Sequence, residues 1–285
     1  MKQRMSLPER VVVYGLLAAV AVLFVTPFIQ MVSISLATEN TNEQLRFTLF
    51  PSEAEVSNYA HVLTNPAIGF ARSFWNSVWF VTLAIVGQLF SATLVGYAFA
   101  RIRAVGREVL FVVLLSTLII PFEMLLLPQF IIFRNLGLVN TLWPIVIPNY
   151  LGTAFNIFLV RQFISAVPRA LDDAARIDGL GHFGIYTRIV LPLIKPVLAT
   201  IIVLTFQFNW GEFFLPFIYI RERARAPLAL ALQMLRETAS AAATPDWHYI
   251  MAGSVLLTLP TLLIYFFSQK YIFEADITGG NQLNK

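Results

Sequence analysis

The sequence contains no cysteine, and this absence removes several kinds of chemistry at once. Without a thiol there is no disulfide, no thiol catalysis and no metal or iron–sulfur site built on cysteine. Histidine is scarce as well: His61, His182 and His248 lie far apart, in predicted loops or at the ends of apolar runs. We therefore expect no metal site on this chain.

Charge is also scarce. Charged residues make up 13% of the sequence, whereas ordinary soluble domains have about 25%. Hydrophobic residues make up 58% and the mean hydropathy is +0.72. The net charge of +4 is scattered, and no basic stripe with interleaved aromatic residues indicates nucleic-acid binding. The composition predicts an integral membrane protein.

Apolar runs long enough to span a membrane recur along the chain. A helix needs about 20 mostly apolar residues to cross a bilayer core of about 30 Å. Six stretches have this length; they lie near 11–36, 74–100, 108–133, 139–160, 189–218 and 248–272. The first is too long for a signal peptide and lacks a small-residue cleavage site after it, so we interpret it as a retained helix. The longest polar stretches are 37–73 and 219–247, so we predict one all-α transmembrane domain over residues 1–285.

The distribution of lysine and arginine predicts the orientation, because cytoplasmic loops carry an excess of both. If the N-terminus is inside, the inner loops hold twelve of these residues: Lys2, Arg4, Arg10, Arg101, Arg103, Arg107, Arg161, Arg169, Arg176, Arg188, Lys270 and Lys285. The outer loops hold seven: Arg46, Arg72, Arg134, Arg221, Arg223, Arg225 and Arg236. Both termini are therefore predicted to be cytoplasmic.

One connecting stretch, "LDDAARIDGLGHFGIYTRIVLPLIKP" from Leu171 to Pro196, is far more polar than its surroundings. Pro168 suits the first turn of a helix, and the two aspartates that follow complement the helix dipole. Gly179 can supply the left-handed residue that ends this helix. A second short helix is predicted from about Gly181 toward Leu191. The segment 165–188 is thus predicted to be a cytoplasmic helix, glycine turn and helix.

Small residues keep the predicted surface of this loop low: Ala174, Ala175, Gly179, Gly181 and Gly184. A low surface allows the backbone of another protein to approach closely. The alternative is a helical hairpin that lies on lipid headgroups.

Several motifs resemble those of a transporter family. "DAARIDG" from Asp173 to Gly179, with "IVLP" from Ile189 to Pro192, resembles the E-A-A-x-x-x-G and I-x-L-P loop signature of ABC-importer permeases. "LGLVNT", "NWGEFFLP" and "AGSVLLTLP" resemble the maltose-type sugar-importer permeases. There are two departures. Asp173 stands where the family usually has glutamate, and the tail "DITGGNQLNK" follows the family ending only in part.

The resemblance implies an ABC type I importer permease with six transmembrane helices and a cytoplasmic coupling helix. Such a subunit is not an enzyme and has no cofactor of its own, because ATP and Mg²⁺ bind to the partner ATPase. The implied partners are a sister permease, two ATP-binding subunits and an extracytoplasmic solute-binding protein, in a bacterial or archaeal cytoplasmic membrane. The implied ATPase-coupling residues are Asp173, Ala174, Ala175, Asp178, Gly179, Ile189, Leu191 and Pro192.

Polar side chains within spans are candidates for the substrate pathway, because such residues usually face a bundle interior or a water-filled cavity. Asn149, Asn156, Gln207 and Asn209 could contact sugar hydroxyls, and Trp210 could stack on a sugar ring. Buried amides can equally serve only to join neighbouring helices. Glu123 lies in the outer part of the third predicted span, near Pro121 and Pro128, where it could contact substrate or cap freed backbone groups.

We expect the substrate to be a sugar, more specifically an oligosaccharide. Glycerol 3-phosphate or a sugar alcohol is the alternative within the family, although the spans offer almost no basic residue apart from Lys195 for an anion. Outside the family, a proton-coupled carrier that titrates Glu123 is the second hypothesis, but no inverted repeat is visible. An intramembrane enzyme is disfavoured, because the sequence has no HExxH motif and no paired aspartates within spans.

Overall fold

The computed structural model describes residues 6–38, 49, 51, 53–66, 68–240 and 246–280, and the regular structure in these ranges is helical, with no strand. Part of each long polar stretch and the last five residues of the tail, 281–285, lie outside them. Lys2, Arg4, Arg46 and Lys285, which entered the orientation prediction, also lie outside the described residues.

The chain forms two compact units, and the first comprises Met1–Ala71 and Ala231–Leu259. It contains α1 (Leu7–Ser35) and α2 (Ser57–Thr64), most of α13 (Leu228–Ser240) and the first part of α14 (Trp247–Gly280). The Asn58 amide donates to the carbonyls of Ser35 and Ala37, at 3.0 and 2.9 Å. These bonds fasten α2 to the end of α1. The apolar stretch of α1 itself stays exposed.

The second unit comprises Arg72–Leu230 and Pro260–Lys285. It contains most of α3 (Phe70–Arg101), which is followed by α4 (Arg107–Ser116), α5 (Phe122–Asn135), α6 (Trp143–Leu151) and α7 (Ala154–Ala166). Next come α8 (Ala170–Ile177), α9 (His182–Ile185), a π-helical turn (Tyr186–Val190), α10 (Leu191–Leu193), α11 (Lys195–Trp210) and α12 (Phe214–Tyr219).

Within the described ranges, four stretches are long and apolar enough to span a membrane: Leu7–Ser35, Phe70–Arg101, Trp143–Ala166 and Trp247–Ser268. Two bent pairs bring the number to as many as six. Arg107–Ile119 and Phe122–Asn135 meet at 98°, and His182–Leu193 and Lys195–Trp210 meet at 77°. The predicted apolar stretches are therefore helical, but the third and fifth are bent at a break, and the fourth is interrupted at residues 152 and 153.

Proline accounts for both breaks. Ile120 precedes Pro121 and is extended, with ψ of 115°, because the proline ring disfavours helical geometry in the residue before it. Pro128, in contrast, lies inside α5. Pro196 at the start of α11 has no N–H to continue the helical hydrogen bonding past Ile194. The predicted helix 189–218 ends again at Trp210, before α12.

The polar loop has the predicted helix, glycine turn and helix. Its first helix is Ala170–Ile177, with Asp172 and Asp173 in the first turn and Pro168 just before it. Gly179 has φ of +83°, the left-handed conformation that glycine adopts at little cost. Helical structure resumes at His182 and continues to Leu193.

Candidate functional site

The loop between α7 and α11 separates into an exposed part and a packed part. Asp173, Ala174, Asp178 and Gly179 are exposed, together with Ile177 and Phe183, whose exposed fractions are 88% and 74%. Pro192 is exposed, whereas Ile189 and Leu191 are half-buried. The exposed set of this loop therefore includes two large apolar side chains that the described part of the chain leaves uncovered.

The prediction that Ala175 lies on the exposed surface of the loop, among the ATPase-coupling residues, is wrong. Ala175 is 3% exposed and packs in the core with Ile185, Tyr186 and Val190. The space beside Gly184 is taken by the Leu180 side chain, at 3.1 Å from a Cβ built on the glycine. Ala174, Gly179 and Gly181 remain on the surface.

The packed part of the loop is attached to α3 by polar contacts. Arg101, the last residue of α3, forms an ion pair with Asp172, with 2.8 Å between Nε and Oδ2, and both side chains are nearly buried. Arg101 also donates from Nη2 to the carbonyl of Val167 at 2.8 Å. One and two turns earlier, the Tyr97 hydroxyl donates to the carbonyl of His182 at 3.1 Å, and Thr93 Oγ1 lies 2.7 Å from the Tyr186 hydroxyl.

A cleft of about 400 Å³ opens beside this attachment. It is lined by Arg101, Ile102, Arg103, Arg169, Asp172, Asp173, Arg176 and His182. Charged groups in this number require water. The end of α3 and the first helix of the loop therefore lie at an aqueous surface rather than within the hydrocarbon core.

Two of the predicted pathway residues, the half-buried Asn149 and the buried Asn156, belong to one amide network. The buried Gln88 of α3 donates from Nε2 to Asn149 Oδ1 at 3.2 Å and accepts at Oε1 from Asn156 Nδ2 at 3.0 Å. Its Oε1 also accepts from the backbone N–H of Thr153 at 3.3 Å. The network joins α3, α6 and α7 at the point where Gly152, with φ of +77°, interrupts the Trp143–Ala166 span. Asn149 and Asn156 thus join neighbouring helices, which is the alternative role predicted for amides within spans.

The pathway candidates on α11 fall into two groups. Asn209 is buried and donates to the Thr205 carbonyl of its own helix at 2.7 Å. Trp210 is buried and stacks on Phe206, with 5.1 Å between the ring centroids, and meets Phe74 edge-on. Gln207, on the same helix, is exposed. Glu123 is exposed in the first turn of α5, directly after the 98° bend.

Sequence reasoning missed Gln88, Arg101 and Asn140. Asn140 has φ of +63° and is the only non-glycine residue in the described ranges with a positive φ. Its Oδ1 accepts from the N–H groups of Arg221 and Glu222, both at 3.1 Å, and its Nδ2 donates to Glu222 Oε1 at 2.7 Å. The side chain thereby pins the segment after α12 to the turn after α5. The "LGLVNT" motif contains this asparagine but does not reveal its partner.

Comparison with known proteins gives a consistent match. Residues 92–274 match the family model described as binding-protein-dependent transport system inner membrane component. The lactose transport system permease protein LacG of Rhizobium radiobacter is 33% identical over 95% of this chain and 96% of its own length. The arabinooligosaccharides transport system permease protein AraQ of Halalkalibacterium halodurans is 31% identical, over 92% and 93%.

A solved structure is similar over nearly the whole chain. It is a crystal structure of a bacterial ABC transporter involved in the import of the acidic polysaccharide alginate. One of its chains matches with a TM-score of 0.81 and 27% identity, covering 95% of this chain and 99% of that chain.

Proposed function

The chain belongs to the family of binding-protein-dependent transport system inner membrane components, and from this premise we propose that it forms half of the substrate pathway of an ATP-driven sugar importer. It is a permease of the ABC-importer class and not an enzyme. The proposal assigns ATP and Mg²⁺ to partner subunits. It places the chain beside a sister permease in the cytoplasmic membrane, with both termini in the cytoplasm, two ATPases beneath the pair and a solute-binding protein outside.

The substrate is proposed to be an oligosaccharide. LacG is named for lactose and AraQ for arabinooligosaccharides, and the solved transporter imports alginate. All three substrates contain more than one sugar unit. Glycerol 3-phosphate or a sugar alcohol is the alternative substrate within the family.

The polar loop is proposed to be the contact with the ATPase, and the exposure of Ile177 and Phe183 is the observation that carries this assignment. Large apolar side chains at an aqueous surface are typical of a binding site for another protein. Asp173, Ala174, Asp178 and Gly179 are exposed beside them and would complete the contact. Ile189, Leu191 and Pro192 would support it from the second helix.

Cysteine crosslinking tests the contact, because the chain has no natural cysteine and a single introduced one is its only thiol. We expect Ile177→Cys to crosslink to a cysteine placed on the surface of the partner ATPase that faces the membrane. Val105→Cys is the matched control, because Val105 is fully exposed in the segment between α3 and α4, which is also predicted to be cytoplasmic. If Ile177→Cys crosslinks no better than Val105→Cys and is instead labelled by a lipid-soluble reagent, the loop lies on headgroups.

Among the pathway residues, Gln207 is the strongest candidate for contact with sugar hydroxyls, because it is exposed on α11. Asn209 and Trp210 lie just before the turn between α11 and α12 and would shape the pathway wall behind Gln207. Asn149 and Asn156 would hold α3, α6 and α7 together. Glu123 stays a candidate at the 98° bend. A carrier that titrates Glu123 would lose uptake when the proton gradient collapses, whereas the proposed importer loses it when ATP is depleted.

A further inference from the structure

The contacts between α3 and the loop have a regular spacing. Thr93, Tyr97 and Arg101 are four residues apart, so they lie on one face of α3. Each holds a different part of the loop. Arg101 holds Asp172 in α8, Tyr97 holds the first residue of α9, and Thr93 holds the π-helical turn. We call this set the α3 clamp.

The two segments that connect the loop to α7 and α11 are not suited to transmit a rigid-body movement. On one side, Val167–Arg169 separates α7 from α8 without helical structure. On the other side, the chain bends by 77° between Leu193 and Lys195. A displacement of the loop therefore has no straight helix to follow into the membrane on either side.

The clamp supplies the missing connection. α3 runs without a break from Phe70 to Arg101, with no proline inside it. The Arg101–Asp172 pair is nearly buried, and a buried pair loses stability when one partner is removed, because the other charge is left uncompensated. Tyr97 and Ala100 of α3 also share one buried apolar cluster with Ala175 and Ile185 of the loop. The loop and the end of α3 are thus held as one body.

We propose that the α3 clamp makes α3 the element through which a movement of the loop enters the membrane, with Arg101 and Tyr97 as its positioning residues. This rests on the proposed function, in which the exposed part of the loop contacts an ATPase. Closure of the ATPases displaces α8 and α9, and the clamp carries α3 with them. The amide network of Gln88 then passes the displacement to α6 and α7.

The first test uses mild variants in the complete importer, reconstituted in liposomes with ATPases, sister permease and binding protein. Tyr97→Phe removes one hydroxyl, and Thr93→Val exchanges the hydroxyl for a methyl group of similar size. Arg101→Met removes the charge and keeps a long side chain. The matched controls are Arg103→Met and Thr82→Val, whose native side chains are exposed. We expect Arg101→Met to lower uptake by about tenfold while ATP hydrolysis continues, and the controls to behave as wild type.

The second test replaces the ion pair by a covalent link. In Arg101→Cys/Asp172→Cys both charges are absent, so no buried charge is left unpaired. We expect uptake to be low in the unlinked protein and to recover when a short reversible thiol reagent joins the two cysteines. Wild-type uptake without the link would overturn the proposal, and so would arrest of transport by the link, because a clamp that must open during the cycle cannot carry α3.

The two proposals can fail separately. If the loop does not contact the ATPase, Ile177→Cys fails to crosslink whatever the clamp variants do. If the loop contacts the ATPase but the clamp is irrelevant, Ile177→Cys crosslinks, yet Arg101→Met, Tyr97→Phe and Thr93→Val all transport sugar normally and the proposal is overturned. Should Arg101→Met fail to assemble, uptake by Tyr97→Phe and Thr93→Val decides the question in its place, since each removes a single hydroxyl and leaves no buried charge unpaired.

Discussion

At the scale of single residues, Gly179 and Gly181 provide a matched pair of positions. A Cβ on either would meet no atom within 4 Å, but φ is +83° at Gly179 and −77° at Gly181. A left-handed conformation costs a residue with a side chain roughly 1–2 kcal/mol, whereas serine is favoured at the helix N-cap that Gly181 occupies.

We therefore expect Gly179→Ser to weaken sugar uptake by roughly tenfold, given about 1.4 kcal/mol per factor of ten, and Gly181→Ser to transport normally. Gly179→Asn should retain more activity than Gly179→Ser, because asparagine adopts the left-handed region more readily. Uptake in proteoliposomes measures all three. Equal uptake in the two serine variants would mean that the turn at Gly179 has no conformational role.

Two glutamines separate structural from pathway roles. Gln88 bridges Asn149 and Asn156, and bonds of this kind inside membranes contribute about 0.6 kcal/mol on average, up to about 1.7. We expect Gln88→Leu to lower the unfolding free energy of the detergent-solubilised protein by about 1 kcal/mol. Gln207→Leu should leave that stability unchanged and reduce uptake. The reverse pattern would place the pathway at Gln88 and make Gln207 a bystander.

Residue types alone could not assign these roles. The sequence predicts that polar groups in spans face inward; Asn156 and Asn209 are buried, whereas Gln207 and Glu123 are exposed. It does not say whether an amide meets another helix or a substrate, because that depends on a partner 68 residues away for Asn156 and on the same helix for Asn209. The burial of Ala175 was not predictable from residue type either, because a small side chain is compatible with both an exposed face and a tightly packed core.

At the scale of helices, apolar length predicted where the long helices lie, and two of the predicted stretches bend next to a proline. The bend after Ile120 follows from Pro121, yet Pro128 is accommodated within α5. A proline inside a membrane helix can be tolerated because neighbouring helices re-satisfy the freed backbone groups. Sequence therefore marks the possible breaks, and tertiary packing selects among them.

The bend after Ile120 can be measured as a distance. Spin labels at the exposed positions Val109 and Ile131 would lie about 33 Å apart on a straight helix and about 22 Å apart across a bend of about 98°, at roughly 1.5 Å per residue. We expect the shorter distance in a variant with only these two labels. Adding Pro121→Ala should raise the population of the longer distance, because Ile120 is then free to become helical. A distance near the straight-helix value without that change would show that the span is unbroken.

At the scale of the whole molecule, the apolar stretch of α1 is exposed within the described part of the chain. We therefore expect this stretch to contact lipid or another protein chain. The outward side chains of the loop, Ile177 and Phe183, are exposed in the same sense at an aqueous surface. The exposed side chains of the loop fit the proposed contact with a partner subunit, whereas lipid alone would explain the exposure of α1.

ATP-dependent uptake by defined sets of subunits tests the central claim most directly. Liposomes would contain either this chain alone or the complete set of two permeases, two ATPases and the sugar-loaded binding protein, with ATP on the ATPase side. We expect uptake of an oligosaccharide only with the complete set and only with ATP present. Uptake by the single chain at a comparable rate, or uptake by the complete set that persists without ATP, would contradict the assignment of this protein as half of an ATP-driven pathway.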